Sequence, residues 1–211
     1  MIVTIEAASG QLSVALAEPD GAPIASAAWT SDARQSAELL PRLLAILADA
    51  GRRVTDIGAV AVGTGPGSFT GLRVAMSLGK GLCVALRVPI LGVPSLDAWL
   101  DADPDAAAAL SRAGAREAYL LERGAGDVRI ADQATLRERI AGRPVAAAED
   151  LAQAFAIEDV RPPVGAAAAI ARRAAQRLAA DERDDLESLE PRYLRAPRGV
   201  AIETPGAVRW L

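Results

Sequence analysis

Two kinds of apolar pattern divide the first half of the chain: short runs of the β type, and longer stretches whose apolar residues recur every three or four positions. Ile2–Glu6 and residues 12–17 read as strands of a hairpin, and the turn at Pro19, Asp20 and Gly21 leads to a third antiparallel strand over residues 24–29. Over residues 36–50, Leu39, Leu40, Leu43, Leu44, Ile46 and Leu47 form one broad apolar face, which predicts a core-facing helix. Pro41 lacks an amide and restricts Leu40, so an irregular first turn or a kink is expected there. Residues 58–62 then predict a buried strand, 70–86 a helix, 88–93 a second buried strand and 95–100 a short helix. Three strands followed by helix, strand, helix and strand describe an α/β fold, a mixed sheet with helices against it.

The second half carries a weaker pattern, because alanine suits core and surface equally. The polar DADPD segment, residues 101–105, is the expected boundary between a first domain (1–103) and a smaller α/β domain (104–190), with a tail at 191–211. Residues 117–122 and 127–130 are expected to pair around the turn at 123–126. Thr135 and Glu138 have capping-box spacing for a short helix ending near Gly142. Residues 164–180 predict an alanine-rich helix whose Arg172, Arg173 and Arg177 form a solvated face. The chain from Leu189 onward, with three prolines, is expected to pack over a neighbouring element.

The stretch GTGPGSFTGLRVAMSLGKG, from Gly63 to Gly81, is where chemistry is most expected. Gly63, Gly65, Gly67, Ser68, Phe69, Thr70 and Gly71 make a glycine-rich turn between a strand and a helix, with Ser68 or Thr70 as the cap. That combination is an anion-holding geometry; a tight turn with no ligand fits the same residues equally well. The stretch satisfies neither nucleotide fingerprint: Gly79-Lys80 is followed by Gly81, and no third glycine falls at 68 or 70. Glu6, at the end of the first strand, is the one carboxylate placed to touch magnesium or a nucleotide; a rim residue is the plainer reading. Gly71, Ala75, Gly79 and Cys83 recur every four residues as a stripe of small side chains. Two helical glycines on one face, each costing about 1 kcal/mol, imply close approach by another backbone. That backbone belongs either to a partner helix or to the protein's own sheet.

Composition narrows the chemistry further. The 211 residues carry a net charge of -4, which gives no general attraction to nucleic acid or anionic membrane. There is no histidine, which excludes the common zinc-hydrolase signatures and a Ser-His-acid triad. A single cysteine, Cys83, gives no disulfide framework and fits a reducing compartment. Aromatic residues are only 3% and lie far apart in sequence, so no platform for stacking nucleobases is expected. With no basic leader and no apolar run of membrane-spanning length, a cytoplasmic location without membrane contact is expected.

The opening hairpin, the RQSAELLP segment at residues 34–41, the glycine-rich stretch and LEPRYLR at residues 189–195 together resemble the TsaB family. The resemblance is strong over roughly residues 1–100. It implies the actin-like, sugar-kinase and Hsp70 (RNase H-like) fold with a reduced second domain. It also implies a non-catalytic role beside TsaD, the related catalytic subunit, and the ATPase TsaE. Together these move a threonylcarbamoyl group from its adenylate onto an adenosine of certain tRNAs. In the family the subunits join through helices of the first domain. Here that implies an interface on Leu39, Leu43 and Leu47 and on Gly71, Ala75, Gly79 and Cys83, which could also pair two copies of this chain. No cofactor is expected on this chain itself; ATP and Mg2+ are used by the complex. The catalytic relative holds a metal with paired histidines on its first helix, and residues 35–39 here have none. Glu6 and Gln35 stand where relatives have aspartate and often histidine, and RAGAREAY, residues 112–119, keeps only part of the family pattern. The alternative is an ATP-using enzyme of the same superfamily, with Glu6 and the 65–71 turn at the nucleotide. A protease finds no support in these residues.

Overall fold

In a computed structural model, which describes residues 1–32 and 34–194, the chain builds two sheets on one plan. Strands β1 (Ile2–Glu6), β2 (Gln11–Ala17) and β3 (Pro23–Thr30) pair antiparallel, while β4 (Ala59–Gly63) and β5 (Ile90–Val93) add parallel to the other side of β1. The order is β3-β2-β1-β4-β5. All residues of β1 and β4 are buried, as a central strand covered on both faces requires. The two-residue period assigns the faces. Val3, Ile5, Val60 and Val62 meet α1 (Gln35–Asp49) and α2 (Phe69–Leu86). Ile2, Ala59 and Ala61 meet α3 (Ser95–Ala102) and the last helix. Helix α1 continues through Pro41, which is exposed.

The second sheet repeats the plan in reduced form. Strands β6 (Ala108–Arg112), β7 (Glu117–Glu122) and β8 (Arg129–Asp132) are antiparallel, and β9 (Val145–Ala147) and β10 (Val160–Arg161) lie parallel on the far side of β6. Its order is β10-β9-β6-β7-β8. Helix α4 (Gln133–Ile140) follows β8 without a loop, so its cap is Asp132, whose carboxylate accepts from Thr135 N at 2.9 Å. The expected Thr135–Glu138 capping box is therefore replaced by a cap three residues earlier. The short α5 (Asp150–Phe155), together with β6, β9 and β10, has no counterpart among the expected elements.

The alanine-rich helix α6 (Ala166–Ala179) returns to the first sheet. Its small side chains let the helix lie close to the strands: Ala167 O accepts from Thr4 Oγ1 at 2.8 Å, and Ala169, Ile170 and Ala174 are fully buried. Two of its arginines are not a free solvated face. Arg173 pairs with Asp101 on α3, and Arg177 reaches Asp184 and Glu182, each at 2.9 Å, and Gly92 O at 3.0 Å. Beyond α6 the chain seals the outer edge of β5. Asp184 N donates to Ile90 O, Asp184 Oδ2 accepts from Gly92 N at 2.7 Å, and Arg192 N donates to Thr64 O at 2.7 Å. An open strand edge is thereby closed to other chains. Residues 189–194 pack over β5 and α2 as expected of the tail; residues 195–211 lie outside the described residues.

Candidate functional site at the glycine-rich turn

Three glycines allow the chain to fold back from β4 onto the end of β1. A Cβ on Gly63 would sit 1.9 Å from Glu6 Oε2, one on Gly67 2.1 Å from Ala8 O, and one on Gly71 2.1 Å from Ala7 O. No side chain fits such distances, so backbone meets backbone at Gly67 and Gly71, and the Glu6 carboxylate lies against the backbone at Gly63. The turn's polar groups are then used internally. Ser68 N donates to Ala8 O at 2.7 Å, and Ser68 Oγ caps α2 by accepting from Gly71 N at 3.1 Å. Of the two expected caps, Ser68 is the one used and Thr70 is exposed within the helix. The turn is a packed joint more than an open anion cradle.

Glu6 lies inside this joint. Its Oε1 accepts from Ala8 N at 2.6 Å and its Oε2 from Ser95 Oγ at 2.8 Å, while Ser95 Oγ accepts in turn from Gly65 N at 3.0 Å. The carboxyl is 1% exposed, and burial pushes its pKa from 4.5 up to about 7 despite those hydrogen bonds. A magnesium ion needs an accessible, ionised carboxylate, and here both oxygens are engaged and Gly63 closes the remaining space. No group of three carboxylate or thiol side chains is placed to hold a metal among the described residues. The residues present do not fit the nucleotide or magnesium contact considered for Glu6.

The small stripe on α2 is also spent internally. Gly71, Ala75, Gly79 and Cys83 are all buried, and a Cβ on Gly79 would lie 2.7 Å from Val62 Cγ1 on β4. Leu39, Leu43 and Leu47 enter the same core at 1–2% exposure. In this chain all seven pack against the protein's own sheet, which matches the second of the two readings open to the stripe. Burial likewise raises the Cys83 thiol to about 11 and leaves it unreactive. Apolar side chains left to solvent on the two helices are different ones: Leu40 is 41%, Leu44 44% and Val84 66% exposed. By length and mean hydropathy, 18 residues at 1.3, α2 could cross a bilayer, but it is a core helix facing its own sheet.

A cleft of about 430 Å³ separates the two sheets. Gly67, Ser68 and Phe69 line it from the first sheet; Ser111, Arg112 and Gly114 line it from the second. Ser111 Oγ donates to Pro66 O at 2.8 Å and ties the lobes together, and Arg112 pairs with Asp150 at 2.7 Å at the rim. Gly63, Gly65, Gly71 and Glu6 do not line the cleft, so only the later half of the predicted turn is accessible.

Two lobes built on the strand plan 3-2-1-4-5, with the chain crossing between them at a cleft, define the actin-like, RNase H-like class of α/β protein. YeaZ from Pseudomonas aeruginosa superposes with a TM-score of 0.67 over 92% of this chain and 99% of that one, at 23% identity. The family model described as TsaD, tRNA N6-adenosine threonylcarbamoyltransferase, matches residues 30–198. The chain belongs to this family, and within it is TsaB-like. An uncharacterized protein of Mycobacterium tuberculosis is 53% identical over 70 residues, 33% of each chain. The tRNA threonylcarbamoyladenosine biosynthesis protein TsaB of Escherichia coli is 43% identical over 58 residues, 28% of this chain and 25% of that one. The matched segments thus span a third or less of the length of these curated relatives.

Proposed function

We propose that this chain is a non-catalytic dimerisation and activating subunit in the synthesis of tRNA threonylcarbamoyladenosine. It works in the cytoplasm beside a TsaD-like catalytic subunit and a TsaE-like ATPase. In this reading ATP and Mg2+ are used by the partner subunits, and tRNA is met through the complex. The observation that carries it is a contrast between the two parts of the first lobe. The glycine-rich turn is closed on itself around a buried Glu6, while α1 and α2 leave Leu40, Leu44 and Val84 in solvent. Exposed apolar side chains on two adjoining helices suit a helix-bundle contact with a related subunit. The partner face is thus assigned to the outward side of the same helices whose inward side the sequence suggested. Reconstitution with TsaD-like, TsaE-like and adenylate-forming components, with and without this chain, tests it. Modified tRNA should require the chain; equal modification without it refutes the reading.

A second reading, an ATP-using enzyme of the same superfamily, draws on the interlobe cleft. Calorimetry with Mg-ATP on the isolated chain separates the two, since binding with turnover supports this one and refutes the first.

A further inference from the structure

Phe69 and Tyr193 stand 124 positions apart in sequence and meet in the fold. Their ring centroids are 5.2 Å apart with the planes inclined by 37°. Arg73, one helical turn beyond Phe69, lays its guanidinium 3.9 Å from the Phe69 centroid and 5.7 Å from that of Tyr193. Its Nε donates to Tyr193 Oη at 2.9 Å, which fixes the plane of the group. No aromatic and basic platform was expected from the scattered aromatic residues; the strap after α6 creates one by carrying Tyr193 back to the start of α2. Both rings stay open to solvent, Phe69 at 41% and Tyr193 at 37%.

The surroundings add cations. Lys80 lines the same shallow groove of about 220 Å³ as Arg73 and Tyr193, and Arg192 precedes Tyr193 on the strap. Arg73, Lys80 and Arg192 have no carboxylate within 4 Å among the described residues; Lys80 spends one hydrogen bond on Glu187 O. Glu190 is the carboxylate on the groove itself, and Asp185 is close enough for Lys80 to lower its pKa. Many of the molecule's other exposed arginines are paired, for example Arg53 with Asp56 and Arg183 with Asp181. Unpaired cations beside stacked, exposed ring and guanidinium faces match the two parts of a nucleotide: a flat base and a phosphate.

We propose that Phe69, Arg73 and Tyr193 form a stacking platform for an unpaired base of single-stranded RNA, with Lys80 facing its phosphates. A paired base has no free face to offer, so duplex is excluded by the same geometry. The proposal deepens the tRNA-modification reading and rests on it for the choice of RNA.

The test is fluorescence anisotropy of a fluorescein-labelled ten-nucleotide oligoadenylate with the full chain at low salt, competed by AMP and by a duplex of the same length. Phe69→Leu, Tyr193→Leu and Arg73→Lys keep bulk or charge and remove the planar face. Each should weaken binding about five- to a hundredfold with thermal unfolding unchanged. Lys80→Ala should weaken it less and flatten its salt dependence. Binding that is absent, unaffected by the three variants, equally strong for duplex, or fully reproduced by AMP would overturn the proposal. The same variants in the reconstituted modification assay separate the two readings. A chain required for modification whose variants bind oligoadenylate like the wild type refutes the platform alone. A chain that binds RNA through these residues yet is dispensable for modification refutes the proposed function alone.

Discussion

Glu6→Gln isolates the energetic consequence of burying a carboxyl in the joint between β1 and the glycine-rich turn. Glu6 is the only buried carboxyl among the described residues. Its pKa rises from 4.5 in the free chain to about 7 in the fold, and burial is the cause. Below pH 4.5 both states hold the proton and the group costs nothing. Between 4.5 and 7 the unfolded chain ionises first, so stability falls as pH rises. Above 7 both states are ionised and the cost is constant, about 3 kcal/mol at ~1.36 kcal/mol per pH unit. The window is unusually clear because the chain has no histidine. Glutamine keeps the shape, its oxygen can accept from Ala8 N, and it cannot ionise. In urea unfolding from pH 5 to 8, the wild type should lose stability by up to about 3 kcal/mol while Glu6→Gln stays level. Parallel profiles for the two proteins would refute the reasoning. A separate loss is expected in acid, below about pH 4, where Asp184, held down by Arg177, and Asp132, held down by the Thr135 amide, must take up protons.

Other outcomes follow from the packing. Gly79→Leu must push against Val62, so the isolated chain should lose at least 1–3 kcal/mol in thermal or urea unfolding, before any partner is added. Leu40→Asp with Leu44→Asp should leave unfolding within about 0.5 kcal/mol of the wild type, since both side chains are exposed, while association with a TsaD-like subunit measured by calorimetry weakens at least tenfold. Cys83 should react slowly with a thiol reagent in the native state and promptly in denaturant, monitored by absorbance, because its thiol is buried and its pKa is raised.

The first lobe was legible because its strands and helices use different apolar periods. Val3 and Ile5 alternate with Ile2 and Thr4, and the α1 leucines recur at helical spacing, so both elements and their order could be read. In the second lobe the same physics is written in alanine. Strands β6 and β9 include Ala108, Ala109, Ala146 and Ala147, all buried, and no contrast marks them as strand, helix or loop. The candidate site was legible as a turn but not as a closed one. Gly63 and Gly67 announce close backbone approach, but only the pairing of β1 with β4 in parallel register brings Ala8 O and the Glu6 carboxyl to them. The direction of the small stripe was equally hidden, because the same spacing serves a sheet or a second helix. The Phe69–Tyr193 contact was beyond reach, since it depends on a strap whose course is set by Arg177 and Asp184.

Those features share one cause. Glycines at 71 and 79 bring the α2 axis close to β4, so the core between them is thin and side chains larger than alanine or cysteine are excluded from that stripe. A thin core needs few leucines, and α1 and α2 have more than it can bury. Leu40, Leu44 and Val84 are the excess, and they remain in solvent. Exposed leucines cost solubility without aiding the isolated fold, and under the proposed function a contact with a second subunit would recover their burial, at about 25 cal/mol per Å². The inward glycines and the outward leucines are then two halves of one design. Restoring bulk inside, as in Gly79→Leu, should weaken partner binding only as far as it disturbs the fold, whereas Leu40→Asp with Leu44→Asp should weaken binding at least tenfold with the fold intact. If instead the leucine variant bound its partner normally, the outer face of α1 would not be the interface and the proposed role would lose its structural support.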